Sequence, residues 1–226
     1  MIEFIFMLTH NDATVANARE IVDDVAGTGL RYIGFKDVGA SIDMLREVTA
    51  AAHEHELEVM LEIVTTVADD EALSLQNAHR IGVDWVLGGT HPEIGGEALR
   101  GTGIKYCPFP GVIEGHPSVL KGGLEPIAEH ARVLTASSDV HGVDLLAYRH
   151  QTVDPLALTR AVVEVSAGPV IVAGSVATIE QVEALERTGA WGFTVGGAVF
   201  EGRFPGGTSV QEQVKTILAA AGAAPA

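Results

Sequence analysis

Ionisable residues set inside apolar runs show where this chain can do chemistry, because an unpaired charge is costly to bury. Tyr32-Ile33-Gly34-Phe35 leads directly into Lys36 and Asp37, and Glu62 interrupts Val59-Met60-Leu61 and Ile63-Val64. An ammonium at Lys36 can neutralise an enediolate or deliver a proton, with Asp37 or Glu62 setting its basicity. Deprotonated, the same amine can form a Schiff base. The plainer alternative is a Lys36–Asp37 pair that ties down a turn. In an extended segment Glu62 shares a face with Met60 and Val64; facing Lys36, it is either a general base or that lysine's structural partner.

A second group ends another apolar run, at Tyr148-Arg149-His150. Arg149 suits a bidentate grip on a carboxylate or phosphate, or else a surface pair. His150 can exchange protons near neutral pH. His10, His91 and Tyr148 complete the set of expected substrate contacts. His10, Glu62, His91 and His150 together also offer donors for a divalent metal; no cofactor is required by the sequence, and no residue is assigned as a metal ligand. His53, His55, His79 and His130 fall on predicted helices and are expected at the surface. The single cysteine, Cys107, excludes an internal disulfide and a cysteine-cluster zinc site, and is expected in the core.

These residues are placed by a repeated unit of apolar run, turn and helical segment. Strands are expected at Ile2–Leu8, Leu30–Phe35, Glu58–Val64, Asp84–Leu87, Ile104–Cys107, Asp144–Tyr148, Pro169–Ala173 and Trp191–Val195. The intervening helices are expected from a cap at Asn11 or Asp12 to about Ala26, then at Ser41–His55, Asp69–Ile81, Leu124–Ser137, from Asp154-Pro155, at Ile179–Thr188 and at Ser209–Ala220. The region around Gly95 and Gly96 reads as irregular with room for a short helix. The segment Pro108–Gly123, with three prolines and four glycines, reads as a long loop. It carries Glu114, His116, Ser118 and Lys121 and is expected to cover the site. Eight alternating units with nothing left over predict one α/β domain over 1–226, a single (β/α)8 TIM barrel, with a frayed tail over 219–226. In such a barrel the residues singled out above lie at the C-terminal ends of the strands, where chemistry is sited.

Two glycine motifs close the pattern: Val172-Ala173-Gly174-Ser175 after the seventh strand and Val195-Gly196-Gly197-Ala198 after the eighth. Glycine lets backbone N–H groups approach an anion without a side chain in the way. Gly174, Ser175, Gly196 and Gly197 are therefore the expected phosphate contacts, and Gly196→Val is expected to exclude phosphate while leaving the fold intact. The stretch Pro169–Phe204, PVIVAGSVATIEQVEALERTGAWGFTVGGAVFEGRF, resembles the closing quarter of the histidine-biosynthesis barrel isomerases and, more broadly, the ribulose-phosphate-binding barrels. That resemblance implies phosphate held at the same four residues and an isomerase, epimerase or aldol-type lyase reaction. The histidine-pathway isomerase carries aspartates after strands one and five, where this chain has Thr9-His10-Asn11 and Pro108-Phe109-Pro110. Its particular reaction is therefore not carried over.

Composition narrows the partners. The formal charge of -16 disfavours nucleic acid. The mean hydropathy of +0.26 fits strands buried on both faces of a parallel barrel. No apolar stretch approaches the roughly 18–20 residues of a spanning helix, and the N-terminus lacks a basic signal-peptide region, so a cytoplasmic protein is expected. The expected partner is a small phosphorylated metabolite, and a homo-oligomer is allowed. The reading from a different class is a barrel that binds a phosphometabolite without turning it over.

Overall fold

The computed structural model describes residues 1–115 and 117–222; His116 and the end of the expected frayed tail lie outside them. Eight parallel strands carry the architecture: β1 (Glu3–Met7), β2 (Tyr32–Lys36), β3 (Glu58–Ile63), β4 (Trp85–Gly88), β5 (Lys105–Cys107), β6 (Val143–Leu145), β7 (Val170–Val172) and β8 (Gly192–Val195). They pair in the order β6-β7-β8-β1-β2-β3-β4-β5. The seam between β5 and β6 is drawn together by backbone bonds, His141 N–H donating to Tyr106 O at 2.8 Å and Asp144 N–H to Pro108 O at 3.1 Å. The chain is a (β/α)8 TIM barrel.

Strand alternation divides the apolar residues into two sets. Ile5, Met7, Tyr32, Met60, Trp85, Leu87, Cys107 and Ile171 fill the interior. Phe4, Phe6, Ile33, Phe35, Val59, Leu61 and Val172 point outward and meet the helices. The N-terminal end is plugged by Trp85 stacked on Trp191 at 5.2 Å between ring centroids, with Lys105 Nζ 4.2 Å from the Trp85 ring. Among the described residues, the barrel interior therefore opens at its C-terminal mouth.

The helices α1 (Ala18–Val25), α2 (Ile42–Glu54), α3 (Ala68–Ile81), α4 (Pro92–Leu99), α5 (Leu124–Thr135), α6 (Pro155–Val165), α7 (Ile179–Glu186), the single turn α8 (Gly197–Phe200) and α9 (Val210–Ala220) surround the barrel. Their ends follow from local chemistry. Ser41 and Asp154 accept from Met44 and Ala157 N–H groups, and Thr178/Gln181 and Ser209/Glu212 form reciprocal capping boxes. α3 ends at Gly82, whose φ of +87° suits glycine.

Three expectations need correction. Asn11 and Asp12 do not cap α1. Residues Thr9–His10 and Ala13–Thr14 pair as a small antiparallel hairpin, and Asn11 and Asp12 are its turn, at φ +51° and +59°. Positive φ at both central positions is the type I′ form of a two-residue hairpin turn, which Asn and Asp tolerate. Pro108–Gly123 contains a second hairpin, Val112–Glu114 paired with Val119–Lys121. β6 stops at Leu145, because Ala147–Arg149 coils into a 3-10 turn with Arg149 N–H bonded to Leu146 O at 3.0 Å.

Candidate active site

A cavity of about 400 Å³ opens at the C-terminal mouth. Its inner wall is ionic. Lys36, the last residue of β2, is buried with its Nζ 2.7 Å from Asp12 Oδ1 and 3.5 Å from Glu62 Oε1. Glu62 reaches this position from β3 because Lys36 and Glu62 are register partners across the β2–β3 pair. Arg149 closes on the same aspartate, Nη2 at 3.0 Å from Oδ1 and Nη1 at 3.5 Å from Oδ2. Its Nη1 also meets Ser118 O on the second hairpin at 3.5 Å, which ties that loop to the site.

Each carboxyl group responds to its own surroundings. Burial pushes the Asp12 carboxyl up, but hydrogen bonds from Arg149 and Lys36 and the charges of both outweigh it and hold it down at about 2. Burial raises Glu62 by more than the Lys36 and Arg149 charges lower it, so it is a stronger base than a free carboxylate. Asp144 on β6 is fully buried, and neither carboxyl oxygen has a hydrogen-bond partner. Burial, then the Glu62 charge, drives it well above the ordinary carboxylate range. Burial, then Asp144, likewise raises the Cys107 thiol, which is an inert core group.

Of the residues singled out in the sequence, Lys36, Glu62, His10, Arg149, Gly174, Ser175, Gly196 and Gly197 border this cavity. The others lie elsewhere. The Asp37 carboxylate accepts from Ser74 Oγ at 2.6 Å and Val64 N–H at 3.4 Å, so it anchors α3; Asp12 takes the place beside Lys36 that was expected of it. His91 Nδ1 lies 2.9 Å from Oε2 of the buried Glu71, which also accepts from the Thr90 and His91 N–H groups. His150 Nδ1 accepts from the Thr152 and Val153 N–H groups while Nε2 donates to Gly122 O at 2.8 Å, leaving neither nitrogen for a substrate. Tyr148 is half-buried against the core. The four residues offered for a metal are thus dispersed, and no cluster of three or more His, Cys, Asp or Glu suited to a metal occurs among the described residues.

The outer wall is formed by the glycine motifs, and the glycines have different jobs. Gly174 has φ +127°, and a β-carbon there would lie 3.0 Å from Tyr148 Cβ. A β-carbon at Gly196 would lie 2.5 Å from Thr9 Oγ1 and 2.8 Å from Thr9 O. Gly196→Val would therefore strike the first hairpin, contrary to the expectation of an intact fold. Gly197 is open: its nearest neighbours would be His10 Cδ2 at 3.7 Å and Glu201 Oε1 at 3.8 Å. Gly197 thus offers the close backbone approach that an anion needs. Arg203 also lines this wall.

Sequence reasoning missed Asp12, Asp144, Glu201 and Arg203 as site residues. The signal for Asp12 was present, since Asn-Asp between Thr9-His10 and Ala13-Thr14 is a two-residue hairpin turn. Asp144 was visible only as the polar start of an expected strand.

No protein-family model matches the sequence, and no curated protein matches it. Solved structures do match in fold. Orotidine 5'-phosphate decarboxylase from Pyrococcus horikoshii OT3 superposes with a TM-score of 0.69 at 13% identity, covering 97% of this chain and 100% of that one. N-(5'-phosphoribosyl)anthranilate isomerase from Pyrococcus furiosus gives 0.61 at 17% identity, covering 98% and 99%. The tryptophan synthase alpha-subunit of the same organism gives 0.62 at 18%, covering 96% and 98%. At these identities the likeness establishes the barrel, and chemistry must be argued from the site.

Proposed function

We propose that the chain is an enzyme of the isomerase or epimerase type, acting on a small phosphorylated sugar or sugar acid through an enediolate. The observation that carries this reading is one cavity with a buried lysine between two carboxylates on one wall and an open glycine backbone on the other. The phosphate end would rest on the backbone at Gly174–Ser175 and Gly197. Binding energy from that remote group would then hold the reacting carbons over Lys36 and Glu62. Glu62, ionised, would take the proton from the carbon beside a carbonyl. The charge that develops on the carbonyl oxygen would be met by the Lys36 ammonium. Lys36 would pass a proton to that oxygen and take the one on the neighbouring hydroxyl, and return of the proton from Glu62 to the former carbonyl carbon completes isomerisation. In epimerisation the carbon that lost its proton instead takes one from solvent on its opposite face, and Glu62 releases its own to solvent.

The pairing of Lys36 favours this over a Schiff-base lyase. The Lys36 Nζ is engaged by Asp12 at 2.7 Å and faces Glu62 at 3.5 Å, and an amine held in such ion pairs must leave them to present a lone pair for imine formation. The neighbours in fold include a decarboxylase and an isomerase of phosphorylated compounds, which agrees with the proposed substrate class.

The test is a panel of phosphorylated sugars and sugar acids incubated in deuterated water, read by proton NMR. Exchange at carbon is expected with the parent and is expected to vanish in both Lys36→Met and Glu62→Gln. A ligand that binds, shows no exchange, and binds equally to both variants would establish the non-catalytic binding barrel instead.

A further inference from the structure

The outer wall of the cavity presents an opposition of charge that the proposed reaction does not use. Glu201 follows α8 and its carboxylate lies over the glycine backbone: Oε1 would be 3.8 Å from a β-carbon at Gly197. The same carboxylate holds the two cationic or protonatable side chains of this wall, with Arg203 Nε 2.8 Å from Oε2 and His10 Nε2 3.6 Å from Oε1. The backbone beneath is fixed, since Glu201 N–H donates to Gly197 O at 2.9 Å and Arg203 N–H to Ala198 O at 3.0 Å. The His10 ring is steadied against Phe200, 6.0 Å between centroids. The side chains themselves are free to rearrange, with Glu201 42% and Arg203 58% exposed.

A carboxylate and a phosphate cannot share this place. The Glu201 carboxylate stands beside the open face of Gly197, where a ligand phosphate would sit, and like charges at that separation repel. Exposed ion pairs of this sort contribute little to stability, so breaking the Glu201 pairs costs little. A phosphate also offers Arg203 the same planar, bidentate hydrogen bonding that a carboxylate does.

We propose that Glu201 is the resident counter-anion of the phosphate subsite, competing with the ligand's phosphate for Arg203, His10 and the Gly197 backbone. Binding of a phosphate ester turns Glu201 outward and transfers Arg203 and His10 to the phosphate. Glu201 thereby lowers the affinity of this wall for anions, and lowers it most for the most highly charged. This inference rests on the reading that phosphate binds at this wall, and adds the residues that set how tightly it is held.

The experiment measures inorganic phosphate, sulfate and acetate binding by calorimetry at low ionic strength in the parent, Glu201→Gln, Glu201→Ala and Arg203→Gln. Removing the competing carboxylate should tighten phosphate roughly 5- to 30-fold in both Glu201 variants. Arg203→Gln should weaken it, and acetate, with one charge, should gain less than phosphate when Glu201 is neutral. If the parent binds phosphate and neither Glu201 variant binds it more tightly, Glu201 orients Arg203 instead of competing with the ligand, and the inference fails alone. If no variant binds phosphate or sulfate, the phosphate reading itself fails and takes this inference with it.

Discussion

Gly197→Val separates the ligand-binding role of the closing motif from its structural role. A β-carbon at Gly197 meets nothing nearer than 3.7 Å, so the substitution lies in open cavity and the barrel should fold. The added carbons occupy the space that a phosphate oxygen needs to reach the backbone N–H groups. Loss of two charge-assisted hydrogen bonds at about 1.5–3 kcal/mol each weakens phosphate on the order of 100-fold or more. With ligand at about 100 times its Kd, the parent gains about 2.7 kcal/mol, which for a domain of this size is a melting shift of about 5–11 °C. A 100-fold weaker variant at the same concentration keeps about 0.4 kcal/mol, or about 1–2 °C. Gly196→Val is the control with the opposite outcome. Its β-carbon would be 2.5 Å from Thr9 Oγ1, so the protein should lose about 1–3 kcal/mol of stability before any ligand is added. Differential scanning fluorimetry with and without phosphate reads both effects. A Gly197→Val protein with the parent's melting point and its full phosphate response would refute the placement of the anion at this wall.

Two further predictions concern the buried carboxyl groups. Asp144 is raised in the folded protein, so the native state holds a proton that the unfolded chain has released, and stability falls as pH rises above the ordinary carboxylate value. Asp144→Asn removes that liability: its melting point should exceed the parent's at pH 8 by more than it does at pH 5, and an equal difference at both would show Asp144 ionised in the fold. Asp12 has the opposite sign. Its stabilisation by Arg149 and Lys36 is present above the ordinary value near 3.8 and is lost as pH falls towards about 2. Asp12→Asn should flatten that acid limb in melting curves taken from pH 5 to 2, and an unchanged limb would place the acid sensitivity elsewhere.

The barrel was legible because its strands announce themselves twice, once as apolar runs buried on both faces and again by the capped helices between them. Tyr32–Lys36 and Glu58–Ile63 were readable almost to the residue, and their register alone brings Lys36 to Glu62. The site was less legible where one carboxylate had to be chosen over another. Asp37 adjoins Lys36 in sequence, yet strand alternation sends neighbouring side chains to opposite faces, and Asp37 meets Ser74 outside the barrel. His91 and His150 stand at strand ends as a catalytic histidine would, but Glu71 takes up Nδ1 of His91 and backbone groups take up both nitrogens of His150. Which partner claims a polar residue is a long-range fact, set by loops whose paths no local pattern records. The short hairpin at residues 9–14 has this effect at both ends of the site. By turning back at Asn11-Asp12, it places Asp12 between Lys36 and Arg149 and lays Thr9 against Gly196. A single two-residue turn therefore fixes both the ion-pair partner of the lysine and the seat of the glycine loop, joining the two walls of the cavity through one element that fold periodicity does not predict.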